Sequence, residues 1–366
     1  MLLDHDAPSE TFIRREIELL RQRGWKIHVR YLTRGTPRLR VQFPQLSLMR
    51  IALKRVFAML CHSPLNALRM LKRLPQAAAL TRDLVETDTR LVWAQFAGIT
   101  ADVVGIAAET LRLPWVCSVH AHDVFTANAN VLACRLQNAR RVIACSQSAA
   151  EAVRDAHEHV EVIHHGVKLA EVSQPQSGII FSAGRLEPKK GFDVLLRACV
   201  LLYARGVSFS CRIAGQGSLD NELRRLTVEL GIAEKVVFVG WLSPEQVLDA
   251  IRNADVVALA SRRMPDGDRD GIANVVLEAF AVGTPVVTTV AGAAGEVIRD
   301  NVNGRLVPAD DSEALADALV GLLTDQKARQ RFAEAGRQTI VEEFDPVTNI
   351  QKLETCFSAV INSASL

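Results

Sequence analysis

The segment IIFSAGRLEPKKGFDVLLRA, residues 179–198, contains the local pattern that decides the fold. It begins with an apolar run typical of a β-strand and continues, after a glycine, into a loop that carries Arg185, Lys189 and Lys190. Helix-period apolar residues follow Gly191. Cations beside the first turn of a helix favour a diphosphate, because the helix amides and the helix dipole add to the side-chain charge. The segment therefore predicts a strand, an anion-binding loop and a helix in succession.

The alternation of strand-like and helical segments continues along the chain. Other apolar runs typical of strands occupy residues 27–32, 91–96, 115–120, 141–146, 210–215, 236–240, 256–260 and 285–289. Helix-period segments such as 10–24 and 219–231 lie between them. This alternation predicts an α/β fold with two Rossmann-like, doubly wound parallel-sheet domains that face each other across a cleft. In such sheets, ligands bind beyond the carboxyl ends of the strands.

A polar segment, LAEVSQPQSG at 169–178, interrupts the alternation and contains Pro175. We therefore expect an N-terminal domain over residues 1–170 and a C-terminal domain over residues 171–345. Residues 346–366 are expected to form a helix that packs back towards the N-terminal domain.

The composition and the N-terminus indicate a soluble, cytoplasmic protein. The first residues show no basic segment followed by an apolar run, and no stretch approaches the ~18–20 uninterrupted apolar residues of a membrane span. The seven cysteines form no C-x-x-C pair and mostly sit among apolar residues. That distribution is typical of buried thiols rather than of disulfides or zinc ligands.

Basic residues are concentrated in one region. Residues 19–82 contain 14 of the 43 lysines and arginines and none of the 41 acidic residues. Within this region, segments 46–60 and 66–74 have apolar residues at helical spacing and cations on other faces. A cationic amphipathic region such as 46–74 suits peripheral contact with the anionic inner face of the cell membrane, with two ordinary surface helices as the alternative. Few aromatic residues and no recognised motif argue against nucleic acid as a partner.

The stretch PDGDRDGIANVVLEA, residues 265–279, holds four carboxylates, and three kinds of site could use them. An EF-hand loop needs a bidentate carboxylate at its twelfth position, which is Leu277 here, so calcium is disfavoured. Asp266 and Asp268 form a D-x-D pair, the pattern of a metal–diphosphate clamp, which polar loops also produce by chance. The third kind of site is a cradle for sugar hydroxyls.

Several motifs, taken in order, resemble one known family. They are G-R-L-x-x-K-K-G at 184–191, G-x-G-x-L at 215–219, D-G-x5-L-E-A-x-A-x-G-x-P-V-V at 270–287 and G-x3-E-V-I-x-[DN]-x3-G at 292–304. Their order and spacing resemble the family 4 retaining glycosyltransferases of the GT-B fold. In the N-terminal half, S-E-T-F-I-x-x-E-I at 9–17 and H-A-x-D-x-F at 120–125 are similar to the exopolysaccharide and colanic-acid branch of that family.

Two features depart from the family pattern. The family usually has a full strand and a glycine-containing loop before S-E-T-F, whereas MLLDHDAP stands there in this sequence, so we expect a shortened first strand. The family's E-x7-E signature begins with glutamate, whereas this chain has Asp270 at that position and Glu278 at the second.

The resemblance implies how the C-terminal domain would bind a UDP- or GDP-linked sugar without a metal or another cofactor. Asp270 and the amides that follow it would hold hydroxyls of the donor sugar, and Glu278 would accept hydrogen bonds from the two ribose hydroxyls. Arg185 and Lys190 would stabilise the charge of the leaving diphosphate, while Lys189 could equally be a surface lysine. The remaining donor-site residues that the resemblance implies are Gly215, Gly217, Gly271, Ile272, Ala273 and Glu296.

In the N-terminal domain, the resemblance implies that His120 approaches the donor sugar. The expected catalytic residues are therefore His120, Asp270, Arg185 and Lys190. Residues on the acceptor side are expected to be Ser9, Ser146 and Asp123. His120, His122 and Asp123 could also form a metal cluster, but no further ligand set accompanies them, so no metal site is expected. His164 and His165 are expected to be structural, with a place in the lining of the cleft as the alternative.

The resemblance implies a retaining hexosyltransferase that transfers a sugar from a nucleotide-diphosphate donor to a saccharide acceptor, which could be lipid-linked. The setting would be bacterial-type exopolysaccharide or cell-surface glycan biosynthesis. Two alternatives remain: a nucleotide-sugar epimerase on the same fold, for which no distinct acid–base motif is visible, and a catalytically impaired nucleotide-sugar-binding protein. A nicotinamide dehydrogenase is disfavoured because no G-x-G-x-x-G follows the first strand.

Overall fold

The computed structural model of the chain describes residues 2–3, 11–32, 46–173, 175 and 178–364. They belong to two compact units, of which the first comprises Met1–His165 with Val347–Leu366 and the second Gly166–Pro346. The chain passes from the first unit to the second after His165, five residues before the boundary expected from the polar segment. Val167 already belongs to the second unit, because its amide donates to the carbonyl of Phe344 and its side chain lies in the same core.

Within its described residues, the first unit has six parallel strands. In chain order they are β1 (Leu2–Leu3), β2 (Arg30–Tyr31), β3 (Val92–Gln95), β4 (Trp115–Val119), β5 (Arg141–Ala144) and β6 (Val160–Val162). They lie in the order β2-β1-β3-β4-β5-β6, so the direction in which the sheet grows reverses between β1 and β3. This is the strand order of a doubly wound sheet.

Helices connect these strands. They are α1 (Thr11–Gln22), α2 (Leu46–Leu60), α3 (Pro64–Leu71), α4 (Leu74–Glu86), α5 (Ile99–Leu111), α6 (Ala121–Phe125), α7 (Ala129–Leu136) and α8 (Gln147–Val153). Local sequence sets where they begin: Ser63 accepts a hydrogen bond from the amide of Asn66 at the start of α3, and Pro64 occupies the first helical position.

The described part of the second unit also has six parallel strands. They are β7 (Ile179–Ala183), β8 (Ser210–Ala214), β9 (Val236–Gly240), β10 (Val256–Ala258), β11 (Val286–Thr289) and β12 (Arg305–Val307). Their order, β12-β11-β10-β7-β8-β9, is that of a Rossmann sheet with its topological switch point between β7 and β10. Both halves therefore confirm the predicted pair of Rossmann-like domains.

The connections of the second unit are mostly helical. Its helices are α9 (Phe192–Ala204), α10 (Asp220–Glu229), α11 (Pro244–Arg252), α12 (Asn274–Val282), α13 (Ser312–Thr324) and α14 (Gln326–Glu343). Two short 3-10 turns, Pro188–Lys190 and Ala294–Glu296, follow β7 and β11.

The sheet of the second unit is buried on both faces except at its edge strand β9, where Val237 and Val239 are exposed. Successive residues of β7 show this directly, since side chains alternate between the two faces of a strand. Ile180 belongs to the apolar core that α9 and α13 cover, whereas Ile179 and Phe181 belong to the opposite core, which α12 and α14 cover.

The last helix, α15 (Pro346–Ala364), packs on the first unit. The ring of Phe357 lies edge-on to those of Trp25 and Trp93, with centroids 5.7 and 5.1 Å apart. The carboxylate of Glu354 accepts from Trp25 Nε1 at 2.9 Å and from Arg23 Nε at 2.6 Å. Apolar packing and two polar contacts thus join the end of the chain to the region that follows α1.

Arg55, on α2, is one of the basic residues of region 46–74, yet it is 1% exposed. Its guanidinium donates to the carboxylate of Glu109 on α5 and to the carbonyl oxygens of Arg135 and Gln137. Arg55 therefore joins three segments of the first unit, while the neighbouring Lys54 is exposed.

Replacing Arg55 with Ala should destabilise the protein by about 3–5 kcal/mol, because the carboxylate of Glu109 and two carbonyl groups lose their partner. Lys54→Ala on the same helix should change the free energy of unfolding by about 0.5 kcal/mol or less. Urea unfolding of both variants measures the difference. Equal effects at the two positions would contradict the structural role of Arg55.

Candidate functional site

The switch point of the second sheet brings together two loops that are far apart in sequence. The loop after β7 contains Lys190, and the loop after β10 contains Ser261 and Asp270. Lys190 Nζ lies 2.8 Å from Asp270 Oδ2, and the hydroxyl of Ser261 donates to the same oxygen at 2.7 Å. Burial alone would raise the pKa of Asp270, but Lys190, Ser261 and Lys189 together lower it below its ordinary value. Asp270 is therefore an ionised carboxylate in a largely buried position.

A second ion pair joins the same loops. Lys189 Nζ lies 3.1 Å from both carboxylate oxygens of Asp268, and Lys189 is only 7% exposed. Lys189 is therefore not a surface lysine, and Asp268 supplies the charge that balances it. Asp266, in contrast, is exposed, and its Oδ1 accepts from the amide of Asp268 at 3.0 Å. This local hydrogen bond shapes the turn that presents Asp268.

Two glycines allow the close approach of backbone segments around this pair. Gly191 has φ +61°, and a Cβ atom there would overlap the carbonyl oxygen of Ala260, two residues after β10. Gly292 has φ +68°, and a Cβ atom there would overlap the carbonyl oxygen of Asp270. Larger residues at either position would displace the loops that carry Lys190 and Asp270.

The third cation of the β7 loop is placed differently. Arg185 is 62% exposed at its side chain, and its guanidinium lies 3.1 Å from the carboxylate of Glu187. Lys190 and Asp270, which the sequence assigns to separate tasks, instead share one ion pair. Arg185 is thus the more accessible of these two predicted phosphate-binding cations.

The other predicted donor residues lie on loops of the same sheet edge. Gly215 and Gly217 follow β8, and this loop is joined to the β7 loop by hydrogen bonds from the amide of Gly184 to Ala214 O and from that of Leu186 to Gln216 O. The remaining predicted residues are placed by α12 and by the 3-10 turn after β11. Gly271, Ile272 and Ala273 directly precede α12, Glu278 lies within α12, and Glu296 ends the turn.

In the first unit, His120 follows β4 and precedes α6. It is buried, and its Nε2 lies 3.1 Å from Oε1 of Gln95 at the end of β3. Burial, assisted by the nearby His165, holds the pKa of His120 well below its ordinary value. His120 is therefore a neutral imidazole.

The structure gives two predicted acceptor-side residues local hydrogen bonds. Asp123 Oδ2 accepts from the amide of His120 at 3.0 Å, and burial raises the pKa of Asp123 to about 6. Ser146 is buried, and its hydroxyl accepts from the amide of Ala149 at 3.2 Å, as an N-cap of α8. The third acceptor-side candidate, Ser9, lies outside the described residues.

A contact that the sequence did not predict links α1 to the end of the first unit. Nδ1 of His165 lies 2.6 Å from Glu16 Oε1. The His165 ring stacks on that of His120, with centroids 5.5 Å apart and planes 12° apart. Burial by itself lowers the pKa of His165, but the Glu16 carboxylate and the neighbouring Cys145 raise it overall to about 10. A charged histidine thus lies against the neutral His120.

Comparison with known proteins relates both halves to one group. Residues 9–171 match the model described as Glycosyltransferase Family 4, and residues 170–339 match the model described as Glycosyl transferases group 1. The two matches adjoin and together include every predicted site residue. The chain therefore has a Glycosyltransferase Family 4 domain followed by a Glycosyl transferases group 1 domain.

Relatives within this glycosyltransferase group include WcaL of Salmonella typhimurium, assigned to colanic acid biosynthesis, and AmsK of Erwinia amylovora, assigned to amylovoran biosynthesis. Each is 34% identical over 45% of this chain. The aligned part is 41% of each relative, so the chain spans less than half the length of these relatives. Among solved structures, HepE of Anabaena in complex with UDP and glucose has a TM-score of 0.73, with 20% identity and 98% of both chains covered. This likeness confirms the GT-B fold.

Replacing Lys190 with Met should lower the free energy of unfolding by about 1–3 kcal/mol at neutral pH, because Asp270 then remains buried without its cation. The loss should shrink as the pH falls to and below 3.8, the ordinary pKa of Asp270, since protonation removes the uncompensated charge. Adding Asp270→Asn should restore part of the stability.

Chemical unfolding at several pH values measures these effects, with Arg185→Met as the exposed control. If Lys190→Met and Arg185→Met have the same free energy of unfolding at neutral pH, the ion pair between Lys190 and Asp270 does not stabilise the site.

Proposed function

We propose that this glycosyltransferase is a retaining hexosyltransferase that uses a UDP- or GDP-linked sugar and a saccharide acceptor. The proposed setting is the synthesis of an exopolysaccharide or another cell-surface glycan. The observation that carries the proposal is the position of the Lys190–Asp270 pair at the switch point, where doubly wound sheets bind ligands. HepE, which shares the fold, is described with UDP and glucose, and the relatives WcaL and AmsK belong to polysaccharide biosynthesis.

The proposed donor site uses carboxylates for neutral hydroxyl groups. Asp270 remains ionised, so it is a strong acceptor for a sugar hydroxyl, and the amides of Gly271, Ile272 and Ala273 lie directly before α12. Glu278, in the second turn of α12, is assigned to the ribose hydroxyls. A diol offers two donors, and a carboxylate can accept both.

The diphosphate is assigned to the β7 loop. The exposed Arg185 is available to a ligand, and Gly191, the N-cap of α9, directly follows Lys190. Lys190 would then contact both the diphosphate and Asp270, which couples the leaving group to the residue that holds the sugar. Fixed cations and helix amides can stabilise the negative charge that develops on the leaving group.

His120 is assigned to the donor sugar as a neutral hydrogen-bonding group. As the bond to the nucleotide breaks, positive charge develops on the sugar ring, and a neutral imidazole does not repel it. The pKa of His120, held low by burial, keeps it in that form at physiological pH.

Replacing Glu278 with Ala should weaken donor binding about 100- to 10,000-fold, because two hydrogen bonds to a charged acceptor are lost and each contributes about 1.5–3 kcal/mol. Asp266→Ala is the matched control on the same stretch and should change donor binding little. Transfer should also survive EDTA. Titration with UDP- and GDP-sugars measures binding. Analysis of the products then distinguishes the three candidate functions. A glycosylated acceptor supports the proposal, an epimerised donor indicates an epimerase, and binding without turnover indicates an impaired protein.

Loss of transfer in EDTA, together with an essential Asp266 or Asp268, would show that the D-x-D pair binds a metal and would overturn the assignment of the diphosphate to Arg185 and Lys190.

Peripheral contact with an anionic membrane is also part of the proposal. No helix in the described ranges is long and apolar enough to cross a membrane. On α2, one face is buried in the core, while a second apolar stripe, which includes Leu53 at 55% and Phe57 at 72% exposure, lies open next to the exposed Arg50 and Lys54. Leu65 and Leu68 on α3 are exposed too. Exposed apolar groups beside cations suit the interface of an anionic bilayer, where a lipid-linked acceptor would reside.

The double variant Leu53→Ser/Phe57→Ser should reduce binding to anionic vesicles about tenfold or more, because burial of two large apolar side chains contributes several kcal/mol. Val228→Ser, at an exposed apolar position on α10, is the control. Co-sedimentation with vesicles that contain phosphatidylglycerol measures binding. Equal binding by the two proteins, or no dependence on anionic lipid, would contradict membrane contact through α2.

A further inference from the structure

Parallel strands that end at one edge of the first sheet bring together three potential metal ligands. His120 follows β4, Cys145 follows β5, and His165 closes the segment after β6. One ring nitrogen of each histidine and the sulfur of Cys145 all lie within 4.8 Å of one another. The expected absence of zinc ligands rested on spacing in sequence, which does not reveal this arrangement.

His165 is oriented as metal-binding histidines commonly are. Its Nδ1 lies against Glu16 Oε1, which leaves Nε2 directed at the cluster. Nε2 is buried and has no hydrogen-bond partner at normal geometry within the part of the chain that the structure describes. A buried polar nitrogen without a partner costs free energy unless another group satisfies it. A carboxylate on the far nitrogen is the usual outer contact of a histidine that binds a metal.

His120 can supply a lone pair to the same point. Its Nε2 faces Oε1 of Gln95, which can only accept, so that nitrogen carries the proton of the neutral ring. The other ring nitrogen has a lone pair, which accepts from the backbone amide of Asp123 in the capping box of α6, and a bound metal would replace that contact. The partly buried Cys145 adds a sulfur, which becomes a good ligand when a metal displaces its proton.

We propose that His120, Cys145 and His165 bind a divalent ion of the zinc class. Two imidazoles and one thiolate suit zinc or cobalt and do not suit magnesium or calcium, which prefer oxygen ligands. Zinc–nitrogen bonds of about 2.0–2.1 Å and a zinc–sulfur bond of about 2.3 Å require only a modest contraction of the cluster. Three protein ligands leave one position for water, as in open zinc sites. Glu16 is a positioning residue that acts through His165.

Occupation of this site would inhibit sugar transfer, because the ion takes up the lone pair of His120. This second part depends on the proposed function, whereas metal binding itself does not. Zinc would then act as a reversible inhibitor of an enzyme that needs no metal for catalysis, and a chelator would restore activity.

Titration of the full chain with Co²⁺ tests binding through a spectroscopic signal that activity does not affect. The wild-type protein should show a sulfur-to-cobalt charge-transfer band, and Zn²⁺ should displace it. Cys145→Ser should abolish the band, whereas Cys61→Ser, which removes an exposed thiol on another segment, should leave it unchanged. Glu16→Gln should keep the band but weaken cobalt affinity about 10- to 100-fold.

The absence of a sulfur band in the folded wild type, or its loss in Cys61→Ser rather than in Cys145→Ser, would overturn the site. Sugar transfer without cobalt binding would refute this inference and leave the proposed function intact. Cobalt binding by a protein that shows no sugar transfer even when it is metal-free would support this site and refute the proposed function. Circular dichroism of each variant shows whether it is folded.

Discussion

Asp270 carries a charge in a largely buried position. The groups that balance this charge lie on loops of different strands, so the candidate site depends on the fold. Lys190 supplies the opposite charge and Ser261 a hydrogen bond, yet one follows β7 and the other follows β10. The two meet because β7 and β10 are neighbours at the switch point of the sheet. A buried carboxylate without a nearby cation would be strongly unfavourable, so the strand order and the ionised residue depend on each other.

Charged residues also lie beyond the ends of parallel strands in the first unit, where they surround a neutral histidine. Three strand-terminal segments place neutral His120 against charged His165, whose charge is balanced by Glu16 on α1. The arrangement holds one imidazole uncharged where the proposed reaction develops positive charge. The same carboxylate that favours a proton on His165 would favour a metal ion there, because both are positive charges on one ring.

Some elements could be predicted because their residues show one clear period. Each predicted strand segment contains an observed strand. A strand buried on both faces, such as β10, is a continuous apolar run, whereas β2 is exposed. β6 and β12 were not predicted, because each has three residues, most of them only partly buried. Arg55 has the same sequence context as the exposed Lys54, and only its contact with Glu109, on another helix, makes it a core residue.

The sequence by itself determined the doubly wound fold, the family and the residue types at the loops, because these depend on local periodicity and on motifs of fixed spacing. The tertiary structure decided which of those residues meet. It paired Lys190 with Asp270 and Lys189 with Asp268, and it joined Glu16 to His165, which lie 149 positions apart. Such pairs form because strands and helices that are distant in sequence become neighbours in the fold. Their electrostatic consequences, including an ionised Asp270 and a neutral His120, arise only once burial removes water from around them.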